Sequence, residues 1–372
     1  MEYHTSGKTK GNNKSEIVKY IFKHSNASKT ELTKALGLSM PTVLQNTKEL
    51  LEQEFLVEVG EYESTGGRRA KTLAINGKKL YSVGLDITTN HVSCVLLNLA
   101  GEVIASDRKM QLFSNTMDFY QQLARMVSKF LDNAKVDREL VMGIGVAIPG
   151  NINIEEKILI KSHALNLEGV NLKMVEGFVS YPICFGNDAN AAMIAERGHM
   201  SSEAIYLFLG NTVGSAIKTG GKVYRGRNRK AGEVGHVILV PNGRPCYCGK
   251  SGCVDSYCSV HALENESGLP IEVFMERVDK KDPEVMKIWE EYLEYLAITI
   301  TNLRMIYDTD LILGGDMGEY LEKYMLDLGN YVMKYNKFDN DTSYLKISTH
   351  KKESAAIGAA LYHIYEYFDH IN

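Results

Sequence analysis

The segment running from His236 to Cys253, HVILVPNGRPCYCGKSGC, places one His and three Cys at His-x9-Cys-x-Cys-x4-Cys spacing. A chain carrying this pattern must fold so that His236, Cys246, Cys248 and Cys253 converge on one point. Three thiolates and one imidazole match Zn²⁺ in number and softness, and a closed Cys3His set leaves no position for water, so the expected metal is structural. Gly249 and Gly252 give the backbone the freedom to turn tightly enough for convergence. Gly249-Lys250-Ser251 looks like the end of a phosphate-binding loop, but Arg244 stands where that loop needs its first Gly.

The other cysteines, Cys94, Cys184 and Cys258, are scattered, so a reducing compartment fits better than a disulfide framework. A polar start and the lack of any apolar run near the roughly 18 residues of a membrane span lead to the expectation of a cytoplasmic protein. The formal net charge of −4 conceals an asymmetry. Residues 1–80 hold 13 Lys+Arg against 9 Asp+Glu, whereas the remaining 292 residues hold 29 against 37. A basic head on an acidic body suggests that the head meets a polyanion.

Within the head, apolar spacing predicts helices near 14–24, 29–36 and 40–53. Ser28 caps the second, with Glu31 at the capping-box position; Ser39 caps the third, with Pro41 in its first turn. Gly37 between them completes a helix-turn-helix pattern. On the third helix Val43, Thr47, Leu50 and Leu51 face inward. Thr42 and Gln45 are then placed to read bases in a major groove of double-stranded DNA, Lys48 to contact phosphate, and Asn46 to read a base or mark the stripe's edge. FLVEVGE and KTLAIN read as two strands flanking a Gly-rich tip with Arg68 and Arg69, a wing suited to phosphate or minor-groove contact.

From Tyr81 the texture changes to alternating β and α segments. One set contains YSVGLDI, HVSCVLLNLAG, a helix near 116–133 and VMGIGVAIPG; a second starts near Ala204 with IYLFLG and includes SAIKTGGKVY and LILGGD. Two α/β lobes with a cleft between them are expected. The division is a winged helix-turn-helix domain at 1–80, a first lobe at 81–200 to which a C-terminal helix at 353–372 returns, and a second lobe at 201–352 holding the metal ligands.

STGGRRA, GIGVAIPG, Gly186-Asn187-Asp188-Ala189-Asn190-Ala191-Ala192, Gly232-Glu233-Val234-Gly235-His236, the Cys cluster, Leu313-Gly314-Gly315 and ESAAIGAALY occur in this order. Together they resemble the ROK family (repressor, open reading frame, kinase), from about residue 14 to the C-terminus. The resemblance implies the two-lobed hexokinase/actin-like fold. For members with an N-terminal winged helix, it also implies sugar-responsive transcription regulation, usually by a homodimer or homotetramer.

Sugar hydroxyls each offer a donor and acceptors, so a carbohydrate cleft needs carboxylates and amides; Asn187, Asp188, Glu233, His236 and Asp255 supply them. By the resemblance, Asp188 matches the general base of the sugar kinases, and Glu233 and His236 match sugar contacts. His236 can bind metal through one ring nitrogen and a hydroxyl through the other. Asn166 lies where the family has Asn-Leu-x-Gly-Trp, but Val170 replaces the aromatic residue, and Asp255 stands where Glu is usual.

The kinases' first phosphate motif, Asp-x-Gly-Gly-Thr, is here Asp86-Ile87-Thr88-Thr89-Asn90, and the second keeps only Gly210 and Gly214. Backbone N–H groups approach phosphate closely only where side chains are absent, so the nucleotide cradle is degraded. The expectation is a repressor that binds an operator and a small-molecule sugar effector, with no catalysis. A sugar kinase with an appended DNA-binding module and a ligand-free dimerising DNA-binding protein are the alternatives.

Overall fold

A computed structural model describes residues 12–61, 71–197 and 201–371. The head comprises α1 (Asn13–His24), β1 (Asn26–Ser28), α2 (Lys29–Leu36), α3 (Met40–Glu52), β2 (Leu56–Glu61) and β3 (Lys71–Ile75), with the three strands in the order β1-β3-β2. Its local signals act as the sequence predicts. Ser28 Oγ accepts from the Glu31 N–H at 3.2 Å while Glu31 accepts from the Ser28 N–H at 2.7 Å, and Gly37 ends α2 with φ 65°. Strand β1 is absent from the sequence reading. It is three residues long, with no apolar alternation to announce it, and exists because β3 pairs with it.

The first lobe contains β4 (Tyr81–Ile87), β5 (His91–Asn98), β6 (Val103–Met110), α4 (Met117–Ala134), β7 (Val141–Ile148), β8 (Asn151–Asn153), β9 (Ile158–Ser162), β10 (Leu167–Asn171), β11 (Ile183–Asn187) and α5 (Asp188–Ala195). The second contains β12 (Ala204–Leu209), β13 (Val213–Thr219), β14 (Lys222–Tyr224), α6 (Asp255–Cys258), α7 (Val260–Ser267), α8 (Ile271–Asp279), α9 (Pro283–Tyr307), β15 (Asp310–Gly314), α10 (Asp316–Leu321), α11 (Met325–Tyr335) and β16 (Leu345–Ile347). Helix α12 (Ser354–Asp369) closes the chain.

The two main sheets repeat one topology. Their strand orders are β6-β5-β4-β7-β11 and β14-β13-β12-β15-β16. In each, the first strand pairs antiparallel with the second and parallel with the fourth. Each lobe therefore forms a hairpin-extended sheet completed by parallel crossovers.

Alternation along β5 separates two cores. Cys94 and Leu96 join Phe119, Leu123 and Val127 of α4, whereas Val95 and Leu97 join α12 on the opposite face. Helix α12 lies directly on β4 and β7, because a Cβ on Gly84 would sit 1.8 Å from the Ala356 carbonyl oxygen. It crosses α5 equally closely: a Cβ on Gly358 would meet the Ala191 carbonyl oxygen at 1.7 Å. Helices α5 and α12 thus fill the space between the lobes with small residues, including Ala189, Ala192, Ala355 and Ala359. In the second lobe, Ile205, Leu207 and Leu209 instead meet Trp289, Leu293, Leu296 and Ile300 of α9.

The head is not a separate core. Ile17, Ile21 and Phe22 are buried together with Leu361, Ile364 and Phe368 of α12. Phe22 meets Phe368 edge-on at 5.0 Å and Tyr365 at 5.5 Å, and the Arg197 guanidinium lies 4.2 Å from the Phe22 ring centre. Lys19 pairs with Asp369.

Candidate functional site

The four soft ligands do converge. One ligand atom from each of His236, Cys246, Cys248 and Cys253 lies within 4.8 Å of the others. Cys248 and Cys253 sulfurs are 3.8 Å apart, and Cys246 Sγ is 3.8 Å from His236 Nδ1. A zinc tetrahedron with Zn–S near 2.3 Å has S···S edges of about 3.8 Å, so the donor set has both the chemistry and the spacing of such a site. Backbone geometry makes this possible. Gly252 has φ 82°, and a Cβ there would lie 1.7 Å from the Val240 carbonyl oxygen. The bridge from Ile238 to Cys253 brings the two ends of the segment side by side. Burial, reinforced by neighbouring His163, lowers the His236 pKa and favours the neutral imidazole that a metal ligand requires.

Beside this cluster, Asn187 ends β11 and caps α5, accepting from the Asn190 N–H at 3.0 Å. Its amide donates to Asp188 Oδ1 at 2.9 Å and to the Gly150 carbonyl at 3.2 Å. Asp188 Oδ1 also accepts from the Ala189 N–H at 2.8 Å. Burial raises the Asp188 pKa against these donors, and Glu233 is raised by burial and then by the nearby Asp188 charge. The fold therefore brings Asn187, Asp188 and Glu233 into one electrostatic neighbourhood, with His236 one short turn after Glu233.

Asp255, expected as a sugar contact, has one oxygen engaged within the second lobe. Only 4% of it is exposed, and its Oδ2 accepts from the Val213 N–H at 2.6 Å and from the Tyr247 hydroxyl at 3.3 Å. Burial pushes its pKa up to about 6. One of its oxygens thus holds the turn before β13. Asn166 stands exposed at φ 51°, its N–H bonded to the His163 carbonyl at 3.2 Å. Among the described residues, no hydrogen bond joins its side chain to Asn187, Asp188 or Glu233.

In the first lobe, Thr88 closes the β4–β5 turn, and Thr89 Oγ1 donates to the Ala164 carbonyl at 3.2 Å. The Thr88 N–H donates to the His91 carbonyl at 2.9 Å, and its hydroxyl accepts from the His91 N–H at 3.0 Å. Asp86 is 2% exposed, and among the described residues its Oδ1 has no hydrogen-bond partner; burial, then Asp188, pushes its pKa up to about 8. Arg108 of the first lobe reaches Asp316 of the second at 3.3 Å.

On α3, Val43, Thr47 and Leu50 are buried and Leu51 packs at their edge, whereas Gln45 and Lys48 are exposed. Thr42 and Asn46 are half-buried. Asn46 donates to the Thr42 carbonyl at 2.8 Å, so its amide is engaged by the helix backbone. Gln45 is steadied by Glu49 at 3.2 Å, which pairs with Lys14 at 2.8 Å. Lys48 lies 3.7 Å from Glu52. Arg68 and Arg69 lie outside the described residues.

The ROK family profile matches residues 82–365. The chain belongs to the ROK family. It is 26% identical over 370 residues to the xylose repressor of Caldicellulosiruptor bescii, an alignment covering 93% of each chain. The fold of this ROK protein is similar to a crystal structure of a ROK family transcriptional regulator described as a homologue of the Escherichia coli MLC protein. That match has TM-score 0.75 and 21% identity, and covers 96% of both chains. It is also similar to a ROK family glucokinase from Streptomyces griseus in complex with glucose and AMPPNP, with TM-score 0.65 and 20% identity. There the match covers 75% of this chain and 98% of the glucokinase.

Two features of the ROK cleft escaped the sequence reading. Tyr247 and His163 form a ring cluster with His236, with centroids 5.4 Å apart for His236–Tyr247 and 5.6 Å for His163–His236. His163 comes from the first lobe and Tyr247 from the cysteine-bearing loop of the second, so the contact spans the cleft. The only sequence signal was an aromatic residue between two metal ligands. The second feature is a cavity lined from both lobes by Gly150, Asn151, Asn190, Ser215, Arg225 and Arg229 as well as by Asn187 and Glu233.

Proposed function

We propose that this ROK protein is a DNA-binding transcriptional repressor whose kinase-shaped body binds a sugar or sugar derivative as effector. The observation that carries this reading is the shared core of Phe22, Ile21, Ile364 and Phe368. It makes the basic head continuous with α12, which lies on the sheet behind the cleft. The repressor relatives support the same reading.

In this reading Thr42 and Gln45 read bases, Lys48, Arg68 and Arg69 bind phosphate, and Asn46 shapes the helix edge. Asn187, Asp188, Glu233 and His236 hold sugar hydroxyls, with Asp255 fixing Val213 and Tyr247 behind them and Asn166 closing from the first-lobe hairpin. Zn²⁺ held by His236, Cys246, Cys248 and Cys253 would staple the segment between Glu233 and Asp255; it would supply structure rather than catalysis. The functional units are residues 1–80, 81–200 with the C-terminal helix, and 201–352. A cytoplasmic homodimer or homotetramer would place two heads on two half-sites. Effector closing the lobes then changes operator affinity through differential binding to two states.

The body is read as non-catalytic because Thr88, Thr89 and Asn90 occupy the glycine-rich turn of the kinases. The survival of Asp188 favours one second reading, a sugar kinase. Fluorescence anisotropy with DNA from the promoter region of the protein's own gene, with and without D-xylose and other sugars, tests the first. Sugar-dependent release from a specific fragment is expected, and Gln45→Ala should alter preference at one base position by about 1–3 kcal/mol. Failure to prefer any fragment over random DNA would sink it. ATP-dependent phosphorylation of a sugar, abolished by Asp188→Asn, would establish the kinase instead.

A further inference from the structure

The second lobe, acidic as part of the body, carries one strongly basic loop. Four of the six residues in Arg225-Gly226-Arg227-Asn228-Arg229-Lys230 are cations. Arg227 and Lys230 are exposed, whereas Arg225 and Arg229 turn half-buried into the interlobe cavity. The two lining arginines are not equivalent. Arg229, held at φ 58°, crosses the cleft to pair with Glu155 and donates to the Ile152 carbonyl at 3.4 Å, so its charge is already met by the first lobe. Among the described residues, the Arg225 guanidinium has no hydrogen-bond acceptor and no ion-pair partner, although Glu233 lines the same cavity. Asn151, from the first lobe, lines the same cavity.

A half-buried guanidinium facing a cavity is stabilised by an anion able to accept two of its N–H groups, and planar carboxylate or phosphate oxygens match that fork. The cavity adjoins the sugar constellation through Asn187 and Glu233, yet Asp188, His236 and Asp255 do not line it. It therefore adjoins the sugar site, with Asn187 and Ala189, on either side of Asp188 in the chain, in its wall.

We infer that this cavity is an anion subsite, in which Arg225 binds a carboxylate or phosphate substituent of the effector. The exposed Arg227 and Lys230 steer the anion toward the mouth, and Arg229 fixes the loop to the first lobe so that Arg225 is presented from a defined position. The inference rests on the proposed binding of a sugar at Asn187 and Glu233, and specifies its chemical class: an acidic or phosphorylated sugar rather than a neutral one.

Isothermal titration of the full chain with D-glucose and D-xylose as neutral probes, and with D-glucuronate, D-glucose 1-phosphate and D-glucose 6-phosphate as charged ones, tests this. At least one charged probe should bind roughly tenfold or more tightly than its neutral parent, the scale of one charge-assisted hydrogen bond. Comparing the uronate with the phosphates identifies which anion is used. Arg225→Gln should erase the difference and leave the parent's affinity within about twofold, Arg225→Lys should restore part of it, and unchanged circular dichroism should confirm folding. Neutral probes binding as tightly as all charged ones, or an equal loss of both classes in Arg225→Gln, would overturn the anion subsite alone. Binding by none of the probes would overturn the sugar reading with it.

Discussion

The two main sheets are built to one plan and held together by different means. In the first lobe the sheet is closed by α12, a helix from the far end of the chain laid against Gly84. In the second, the crossover between β14 and β15 contains the His and Cys cluster and the long helix α9, so that lobe is fastened within its own segment. The difference teaches that the repeated topology fixes only the scaffold. What each lobe contributes resides in the insertion or return that completes it.

Metal removal should separate the lobes most strongly. Chelation, or Cys246→Ser, is expected to cost the second lobe on the order of 5 kcal/mol or more. Amide exchange should accelerate across 204–352 while 81–197 keeps most of its protection; equal acceleration in both would break the comparison. The reciprocal perturbation is Gly358→Val, which drives a side chain into the Ala191 carbonyl and should cost about 3 kcal/mol. Chemical denaturation should reveal that loss, and exchange should now rise in β4, β7 and the head rather than around the cysteines.

A smaller effect, of opposite sign, is expected at Asp86. In the folded chain it stays protonated up to about pH 8, whereas unfolded it ionises near the ordinary 3.8. The folded state therefore binds the extra proton between those values, and stability falls as pH rises through that window. Asp86→Asn should remove this slope and raise stability at pH 8, by on the order of 1–3 kcal/mol once relaxation is allowed for. An unchanged pH profile would show that Asp86 has another partner. The smallest change is Arg108→Ala, which breaks the partly exposed interlobe pair with Asp316 and should alter melting by less than about 1 kcal/mol. Small-angle scattering with and without effector would show whether that pair nevertheless biases the lobe angle.

Much of this was legible in the sequence because its causes are local. Ser28 with Glu31 and Ser39 with Pro41 act within a few residues of themselves, and the His and Cys cluster lies within the one segment 236–253. The unread parts depend on partners far along the chain. Strand β1 exists only through β3, Phe22 finds Tyr365 and Phe368, and Arg108 finds Asp316 from 208 residues away. The sequence offers Asp255 as a sugar contact, one methylene shorter than the Glu usual there. The nearest claimants of Asp255, the Val213 N–H and the Tyr247 hydroxyl, become visible only when β13 and the cysteine-bearing loop meet.

The packing of Phe22 against α12 also imposes a timetable on synthesis. The head emerges from the ribosome before α12, and the face of Phe22 that Tyr365 and Phe368 cover stays open until they follow. At usual elongation rates of about 5–20 residues per second, that wait is roughly 20–70 s. During that interval the nascent chain carries an exposed aromatic surface. A message truncated before α12 would yield a head that keeps Leu32, Val43 and Leu50 inside but leaves Phe22 in water, a product suited to chaperone capture rather than to gene control.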